Sequence, residues 1–277
     1  MTARLHHERI SHGGAAPAAW LLFTHGIYGS GGNWRTIARR LVEQRPDWGV
    51  VLVDLRQHGR SEPGAPPHTL DAAARDLRAL ADQLGGIEAM AGHSFGGKVV
   101  LAARALAPLR QAWMLDASPG ARPGALAEPA APGSAVAVLE LLERLPRAWA
   151  RREDFVEAVT AAGQDAAVAQ WLAMSLGAGD GGLALRLDLA AVRAMLADYY
   201  ARDLWAEAFD PAGGALEIVI ADRSPALGPA DRSRLERAPP HVHVHRVDAG
   251  HWLHIEAPAA VIQRFTAHLP PAGDSRP

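Results

Sequence analysis

The feature that most limits how this chain can fold is a regular alternation of short apolar runs with longer segments of helical periodicity. The apolar runs are nearly continuous, which is typical of strands buried on both faces of a parallel sheet. The segments between them place apolar residues at helical spacing. This order predicts a doubly wound, mostly parallel α/β fold with right-handed crossovers. The predicted strands are residues 20–24, 50–54, 87–92, 112–116, 216–221 and 241–247.

The alternation stops after Asp116. Residues 117–134 are rich in proline, glycine and alanine, so we predict a loop that leaves the sheet. From about residue 135 to 210 every periodic segment has helical spacing, and the glycine cluster at 177–182 is predicted to link two helices. An insertion of this size between two parallel strands is most simply a helical lid. We therefore predict a core formed by residues 1–120 and 212–277 and a helical lid formed by residues 121–211.

Composition excludes several kinds of partner. The chain has 277 residues, of which 49% are hydrophobic and 21% charged, as expected for a protein with a large buried core. Its formal net charge of −2 provides no basic excess for nucleic acid or an anionic membrane. The absence of cysteine excludes disulfides, thiolate metal sites and a cysteine nucleophile. Because the sequence shows neither a signal-peptide pattern nor about 18 consecutive apolar residues, we expect a cytoplasmic protein with a small-molecule partner.

One short motif within this pattern indicates a chemical site. Residues 92–97 read GHSFGG and lie between a predicted strand and a helical segment. A serine between small residues at a strand-to-helix turn is typical of a nucleophile elbow, in which the hydroxyl is presented at the carboxyl edge of the sheet. Glycines before and after it are needed because side chains there would clash across so sharp a bend. Ser94 is therefore the candidate nucleophile.

The loop after the first long apolar run predicts a second part of the same site. His25-Gly26 follows residues 20–24, and the loop then leads into a helix. The backbone N–H groups of Ile27 and Phe95 together can form an oxyanion hole for acyl transfer. A phosphate-binding loop is a poorer interpretation, because neither G-x-x-x-x-G-K-[ST] nor G-x-G-x-x-G can be aligned with these residues.

A base for the serine is predicted near the carboxyl terminus, where residues 248–254 read DAGHWLH. His251 follows a glycine in the loop between the last strand and the last helix, so its imidazole can reach over the sheet edge. His254 is the competing candidate, but Glu256 and Pro258 indicate that it enters the start of a helix.

Three further histidines, His241, His243 and His245, alternate along a predicted strand and therefore share one face. This pattern raises the question of a metal site. No carboxylate at a suitable spacing accompanies them, and a packed or exposed face is the preferred interpretation. The sequence predicts no metal site and no cofactor.

These motifs together resemble the α/β-hydrolase fold superfamily. The matching pieces are THGIYGSGGNW (24–34), VDLRQHGRSE (53–62), GHSFGG and GHWLHIEAP (250–258), in the order in which the family has them. The resemblance implies an eight-stranded sheet with the lid inserted after strand 6, Ser94 as nucleophile and His251 as base. It places His25, Gly26, His93 and Trp252 near the substrate. Asp54, Arg56 and His58 fall in a family loop that supports the site, and we expect structural roles for them.

The sequence indicates the acid of the triad less directly than the serine and the histidine. A histidine base needs a buried carboxylate on its other ring nitrogen. In most members of the superfamily the acid follows the penultimate strand in a pattern like G-x-x-D-x-x-x-P, which falls on Ser224 here. Asp222 lies two residues early and is expected to be a turn residue that pairs with Arg223. Asp116, after the strand that follows the elbow helix, is the alternative, as in a similar subset of small bacterial serine esterases. We assign the acid to Asp116, with Asp222 as runner-up.

A serine nucleophile with a histidine base predicts acyl transfer to water through an acyl-enzyme. The leading hypothesis is hydrolysis of carboxylic esters with small to medium acyl chains. Thioester hydrolysis, C–C bond hydrolysis, lyase or cofactor-free peroxidase chemistry, and a non-catalytic ligand-binding receptor on the same scaffold stay open as alternatives. Large apolar residues of the lid can line a pocket, although their helical spacing favours the lid core. These residues are Trp149, Trp171, Met174, Leu176, Met195, Tyr199 and Trp205.

Overall fold

The computed structural model describes residues 2–14, 16–127, 133–179 and 181–273 of the chain. Each of the six predicted strands is present, and its bounds agree with the prediction to within two residues. In chain order the strands are β1 (His7–Ile10), β2 (Ala19–Thr24), β3 (Trp48–Val53), β4 (Ile87–His93), β5 (Gln111–Leu115), β6 (Ala148–Trp149), β7 (Leu176–Gly179), β8 (Gly182–Leu185), β9 (Ala215–Ala221) and β10 (Val242–Val247).

Seven of these strands form the central sheet, in the spatial order β1-β3-β2-β4-β5-β9-β10. The β1 strand is antiparallel to β3, and all other neighbours in this sheet are parallel. Every residue of β3 and β5 is buried, as continuous apolar runs predict for a parallel sheet covered on both faces. The doubly wound, mostly parallel α/β fold is therefore confirmed.

Helices cover both faces of this sheet. In chain order they are α1 (Arg35–Gln44), α2 (Leu70–Leu84), α3 (Phe95–Leu106), α4 (Ala135–Arg144), α5 (Arg152–Ala161), α6 (Ala166–Leu172), α7 (Leu189–Ala201), α8 (Trp205–Phe209), α9 (Pro229–Leu235), α10 (Leu253–Glu256) and α11 (Pro258–His268). On one face α1 and α11 share an apolar layer that includes Leu41 and Phe265. On the other face α2 and α3 share a larger layer, which continues into the helices between β5 and β9.

The expected eight-stranded sheet is wrong: the described residues form a sheet of seven, so the strand before the insertion is the fifth. The difference lies at the amino terminus, where β1 is the one strand found before β2. Residues 3–6 do not form another strand, and the amides of three of them donate to side chains. Ala3 N–H donates to Asp76 Oδ1 at 2.7 Å, and His6 N–H donates to Ser61 Oγ at 2.7 Å.

The region between β5 and β9 is not entirely helical: the glycine cluster at 177–182, predicted to link two helices, lies in a pair of strands. Residues 176–185 form an antiparallel hairpin of β7 and β8, and β6 pairs with β8 to complete a three-stranded sheet. Glycine is required at Gly182 because a Cβ there would overlap the backbone of Trp149. The limits of the lid at residues 121 and 211 stay predictions, and residues 128–132 and 180 lie outside the described part of the chain.

Two buried cations of α3 connect the elbow helix to the inserted region. Lys98, which is 1% exposed, donates from Nζ to the carbonyls of Gly120, Tyr199 and Arg202 at 2.6–2.9 Å. Arg104 donates to the carbonyls of Glu207, Asp210 and Gly214 at 2.5–2.8 Å. Because each buried cation binds three carbonyls, its desolvation is compensated by hydrogen bonds. Within the described residues, no helix combines the length and hydrophobicity needed to cross a membrane.

Candidate active site

The elbow itself is a sharp turn between β4 and α3. Ser94 occupies it with φ 53° and ψ −119°, a conformation that costs a non-glycine residue on the order of 1–3 kcal/mol. A Cβ at Gly92 would lie 2.6 Å from the amide nitrogen of Gly97, and one at Gly96 would overlap the carbonyl oxygen of His25. Both glycines are therefore required by close backbone contact, as the motif predicts.

The structure brings His251 and Asp116 together. His251 Nδ1 lies 2.6 Å from Asp116 Oδ2, and the Asp116 side chain is fully buried whereas that of His251 is 32% exposed. Asp116 has a positive φ of 47° directly after β5, and its other oxygen, Oδ1, accepts from the Ala221 amide at 3.2 Å. A carboxylate held in this way on Nδ1 fixes the imidazole with Nε2 available as a base.

The runner-up acid has different partners. Asp222 Oδ1 accepts from Arg246 Nε at 2.8 Å and lies 3.9 Å from Arg232 Nη1. The expected pairing of Asp222 with Arg223 is wrong, because Arg223 forms ion pairs with Asp248 and, at 3.1 Å, with Glu256. Arg246 is nearer to Asp222 because it projects from the neighbouring strand β10, whereas Arg223 turns toward the loop that carries His251.

The amides predicted for the oxyanion hole belong to the first residue of α3 and to the loop after β2. Phe95 is the first residue of α3, so its N–H has no acceptor within the helix. The loop that carries Ile27 passes close to the nucleophile, since a Cβ at Gly26 would lie 3.3 Å from Ser94 Cβ. Two preorganised N–H groups at such a position stabilise a developing oxyanion.

Two buried histidines hold the Ile27 loop in place. His25 Nε2 accepts from the Leu55 amide at 3.0 Å, so its Nδ1 carries the proton that is donated to Gly26 O at 2.7 Å. His58 Nε2 accepts from the Tyr28 amide at 3.2 Å, and its Nδ1 donates to Arg56 O at 2.8 Å. Burial lowers the pKa of His25 and lowers that of His58 to about 3, so both are neutral.

The other residues of the supporting loop are also fixed by structural contacts. Asp54 accepts from the amides of Gly31 and Arg60 at 2.8 and 2.9 Å. Arg56 forms a buried ion pair with Asp76 at 2.6 Å. Both contacts have the structural character expected from the sequence.

His93, next to Ser94, contacts the backbone of His251. His93 Nε2 lies 2.8 Å from the carbonyl oxygen of His251, so it carries a proton and donates to that carbonyl. Burial and the neighbouring histidines lower the pKa of His93 well below its usual range, which keeps it neutral. The competing base His254 has no carboxylate partner among the described residues, and burial lowers its pKa to about 4.

A cavity of about 190 Å³ opens above Ser94. All four residues expected near the substrate line it, although the ring nitrogens of His25 and His93 are used in the contacts described above. Trp252 packs against Trp171 of α6 at a ring distance of 4.7 Å, so these two indoles join the catalytic loop to the insertion.

Of the large lid residues named from the sequence, Trp171 alone lines this cavity. Met195, Tyr199, Trp205 and Leu176 lie in the buried core, and Met174 is exposed. Three smaller apolar residues of the insertion also line the cavity: Ala135, Val138 and Val168. The sequence does not distinguish them, because a small apolar residue facing a cavity has the same helical spacing as one facing the core.

This fold and site define an α/β hydrolase. Residues 21–264 match the model of the alpha/beta hydrolase family, and the chain belongs to that family; it is a hydrolase. It is 30% identical over 258 residues to the sn-1-specific diacylglycerol lipase ABHD11 of Danio rerio, covering 91% of this chain and 78% of that protein. It is 28% identical over 261 residues to the Mus musculus protein of the same name, covering 92% and 82%. A solved marine microorganism esterase has the same fold, with a TM-score of 0.80, 21% identity and coverage of 96% of this chain and 99% of that one.

Proposed function

We propose that the protein is a serine carboxylesterase with Ser94 as nucleophile, His251 as base and Asp116 as acid. The observation that carries this proposal is the 2.6 Å contact between His251 Nδ1 and the buried Asp116 carboxylate, in a cavity that Ser94 also lines. Relatives described as a diacylglycerol lipase and an esterase support an ester as the bond that is cleaved.

The first half-reaction forms the acyl-enzyme. His251 Nε2 removes the proton of Ser94 Oγ as this oxygen attacks the ester carbonyl carbon. Asp116 stabilises the imidazolium that results, and the amides of Ile27 and Phe95 stabilise the oxyanion. The imidazolium then returns its proton to the alkoxide that leaves, which releases the alcohol and leaves the acyl group on Ser94.

The second half-reaction repeats these roles with water. His251 removes a proton from water as the water oxygen attacks the acyl carbon, and returns it to Ser94 Oγ as the carboxylic acid departs. Neutral His25, His58 and His93 keep the loop geometry without placing further positive charge beside His251.

The size and lining of the cavity support a short or medium acyl chain. Its volume of about 190 Å³ is below the roughly 300–1,000 Å³ of typical drug-sized sites. Its walls include Val138, Val168 and Trp171, which favour a hydrocarbon chain over a polar one.

A panel of p-nitrophenyl esters with acyl chains of short, medium and long length tests this function. We expect turnover that is highest with short or medium chains and is lost in Ser94→Ala. A serine-directed phosphonate should label Ser94 in the wild-type protein. No turnover across the panel would contradict the esterase proposal and favour the ligand-binding receptor, whereas faster turnover of matched acyl thioesters would favour a thioesterase. A cytoplasmic location and a small-molecule ester as partner stay predictions.

A further inference from the structure

A group of histidines with one glutamate lies away from the catalytic site, in the amino-terminal half of β9 and β10. Glu217 on β9 is the direct cross-strand neighbour of His243 on β10, and His245 follows on the same face. His268, the last residue of α11, completes the group. One donor atom from each of Glu217, His245 and His268 lies within 4.8 Å of the others.

The carboxylate at the centre is buried and oriented. Glu217 is 2% exposed. Its Oε1 accepts from Gln111 Nε2 at 2.9 Å and lies 2.7 Å from His243 Nδ1, while Oε2 lies 2.6 Å from His245 Nε2. Outer hydrogen bonds of this kind orient a carboxylate that binds a metal ion. Oε1 is therefore held by its neighbours, and Oε2 is directed toward His245.

The two imidazoles are also positioned. The His245 ring stacks on Trp113, with ring centroids 5.8 Å apart and an interplanar angle of 17°, and lies 4.4 Å from the His268 ring. Gln111 Nε2 donates to the His268 carbonyl at 2.9 Å, which fixes the end of α11. A cation here would also lie near the carboxyl end of a helix, where the helix dipole favours positive charge.

We propose that Glu217, His245 and His268 bind a divalent metal ion of the zinc type. Two imidazole nitrogens and a carboxylate oxygen are ligands that zinc prefers, and the fourth position is then taken by water or His243. Zinc would replace the proton shared by His245 and Glu217. Ligands at about 2.0–2.2 Å from zinc lie roughly 3.3 Å from one another. The 2.6 Å contact between Glu217 Oε2 and His245 Nε2 would open to that spacing, and the exposed His268 would move toward the ion.

The position of this site determines what the ion would do. His251 lies in the segment between β10 and α11, and the site links both of these elements to β9 at the end of the sheet remote from Ser94. The ion would therefore tie both flanks of the catalytic loop to β9, an effect on stability with no part in the ester chemistry.

The test uses the full chain after removal of metal by a chelator, titrated with zinc chloride and followed by calorimetry and thermal unfolding. We expect zinc at 100 times its Kd to raise the Tm by about 5 °C. His268→Gln should weaken zinc binding tenfold or more while leaving the Tm of the metal-free protein nearly unchanged, because His268 is exposed. His12→Gln, at an exposed histidine elsewhere, is the matched control and should bind zinc as the wild type does.

A second variant separates this site from the catalytic site. Zinc binding and the Tm shift should persist in His251→Ala. Loss of both in His251→Ala with retention in His268→Gln would place the ion at the active site and overturn the proposal. The proposal is also overturned if the wild type shows no heat of binding and no Tm shift up to about 0.1 mM zinc.

Discussion

Two neighbouring strands of the central sheet, β5 and β9, each continue into an aspartate, and the surroundings of the two carboxylates differ. The backbones begin alike: Asp116 N–H donates to Val219 O at 2.7 Å, and Asp222 N–H donates to Val247 O at 2.9 Å. Asp116 then turns to a φ of 47° and contacts His251, whereas Asp222, which is 29% exposed at its side chain, binds arginines. A position at a strand end is thus insufficient to bring a carboxylate to His251; the conformation of the turn decides which way the carboxylate points.

The two aspartates also differ in burial, and therefore in the strength of their electrostatic interactions. The Asp116 carboxylate is out of contact with solvent, so its interaction with a protonated His251 is weakly screened. Asp222 forms an exposed pair with Arg246, a type of contact that contributes about 0–1 kcal/mol. Four predictions test this comparison.

The largest effect is expected for Asp116→Asn. Asparagine tolerates a positive φ and can still accept from the Ala221 amide, so the fold should be retained. Its amide group would face His251 Nδ1 and favour the tautomer in which Nε2 carries the proton and cannot act as a base. We expect kcat for p-nitrophenyl esters to fall by about 10³–10⁴, with Tm nearly unchanged. A loss below tenfold would remove Asp116 from the triad.

The same comparison shows what the sequence could predict. Local patterns indicate the apolar runs that form strands, the turn at Ser94 between β4 and α3, and the position of His251 in the loop after β10. The conformation of the turn after β5 could not be predicted, because nothing in the sequence around Asp116 indicates a positive φ. Its assignment depended on Ser224 occupying the usual place of the acid.

Contacts between residues that are distant in the sequence cannot be predicted from local patterns. The hairpin at 176–185 was missed because its glycines indicate a linker unless the close approach of Trp149 is known. The glutamate beside His243 and His245 was missed because Glu217 lies on the neighbouring strand, about 26 positions earlier in the chain. Cross-strand register, which the local sequence does not determine, creates both features.

The second prediction concerns the pH dependence of stability. The buried part of the site contains neutral histidines, whereas the turn at Asp222 contains charged arginines. His58 and His254 have pKa values of about 3 and about 4 in the folded protein, against about 6.5 when unfolded. The unfolded state therefore binds more protons as pH falls below 6.5, and stability is lost in that direction.

Between pH 7 and pH 5 each of these two groups should lower the free energy of unfolding by on the order of 2 kcal/mol. Urea denaturation at the two pH values measures the change. His58→Asn should show a smaller decrease than the wild type, and His12→Asn the same decrease. An equal decrease in all three proteins would show that burial of His58 has no such effect.

The third prediction concerns the loop that brings His251 to Asp116. Glu256 Oε2 accepts from the Gly250 amide at 2.7 Å, and this hydrogen bond is the main reason that the Glu256 pKa is lowered. Glu256→Ala removes the hydrogen bond next to His251, so we expect kcat to fall about tenfold through misplacement of the imidazole. Glu256→Gln can still accept from Gly250 and should restore most of kcat. Equal kcat in both variants and the wild type would show that the Glu256 hydrogen bond does not position His251.

The smallest effect is expected for Asp222→Asn. This change removes the charge that pairs with Arg246 and Arg232 but leaves the Asp222 amide in the β9–β10 ladder. We expect kcat within about twofold of the wild type, since among the described residues the Asp222 side chain pairs with arginines and not with His251. The loss in unfolding free energy should be at most about 1 kcal/mol. Steady-state kinetics beside Asp116→Asn make the decisive measurement. If Asp222→Asn lost as much kcat as is expected for Asp116→Asn while Asp116→Asn stayed active, the acid would lie on β9, and the turn after β5 would have a structural role.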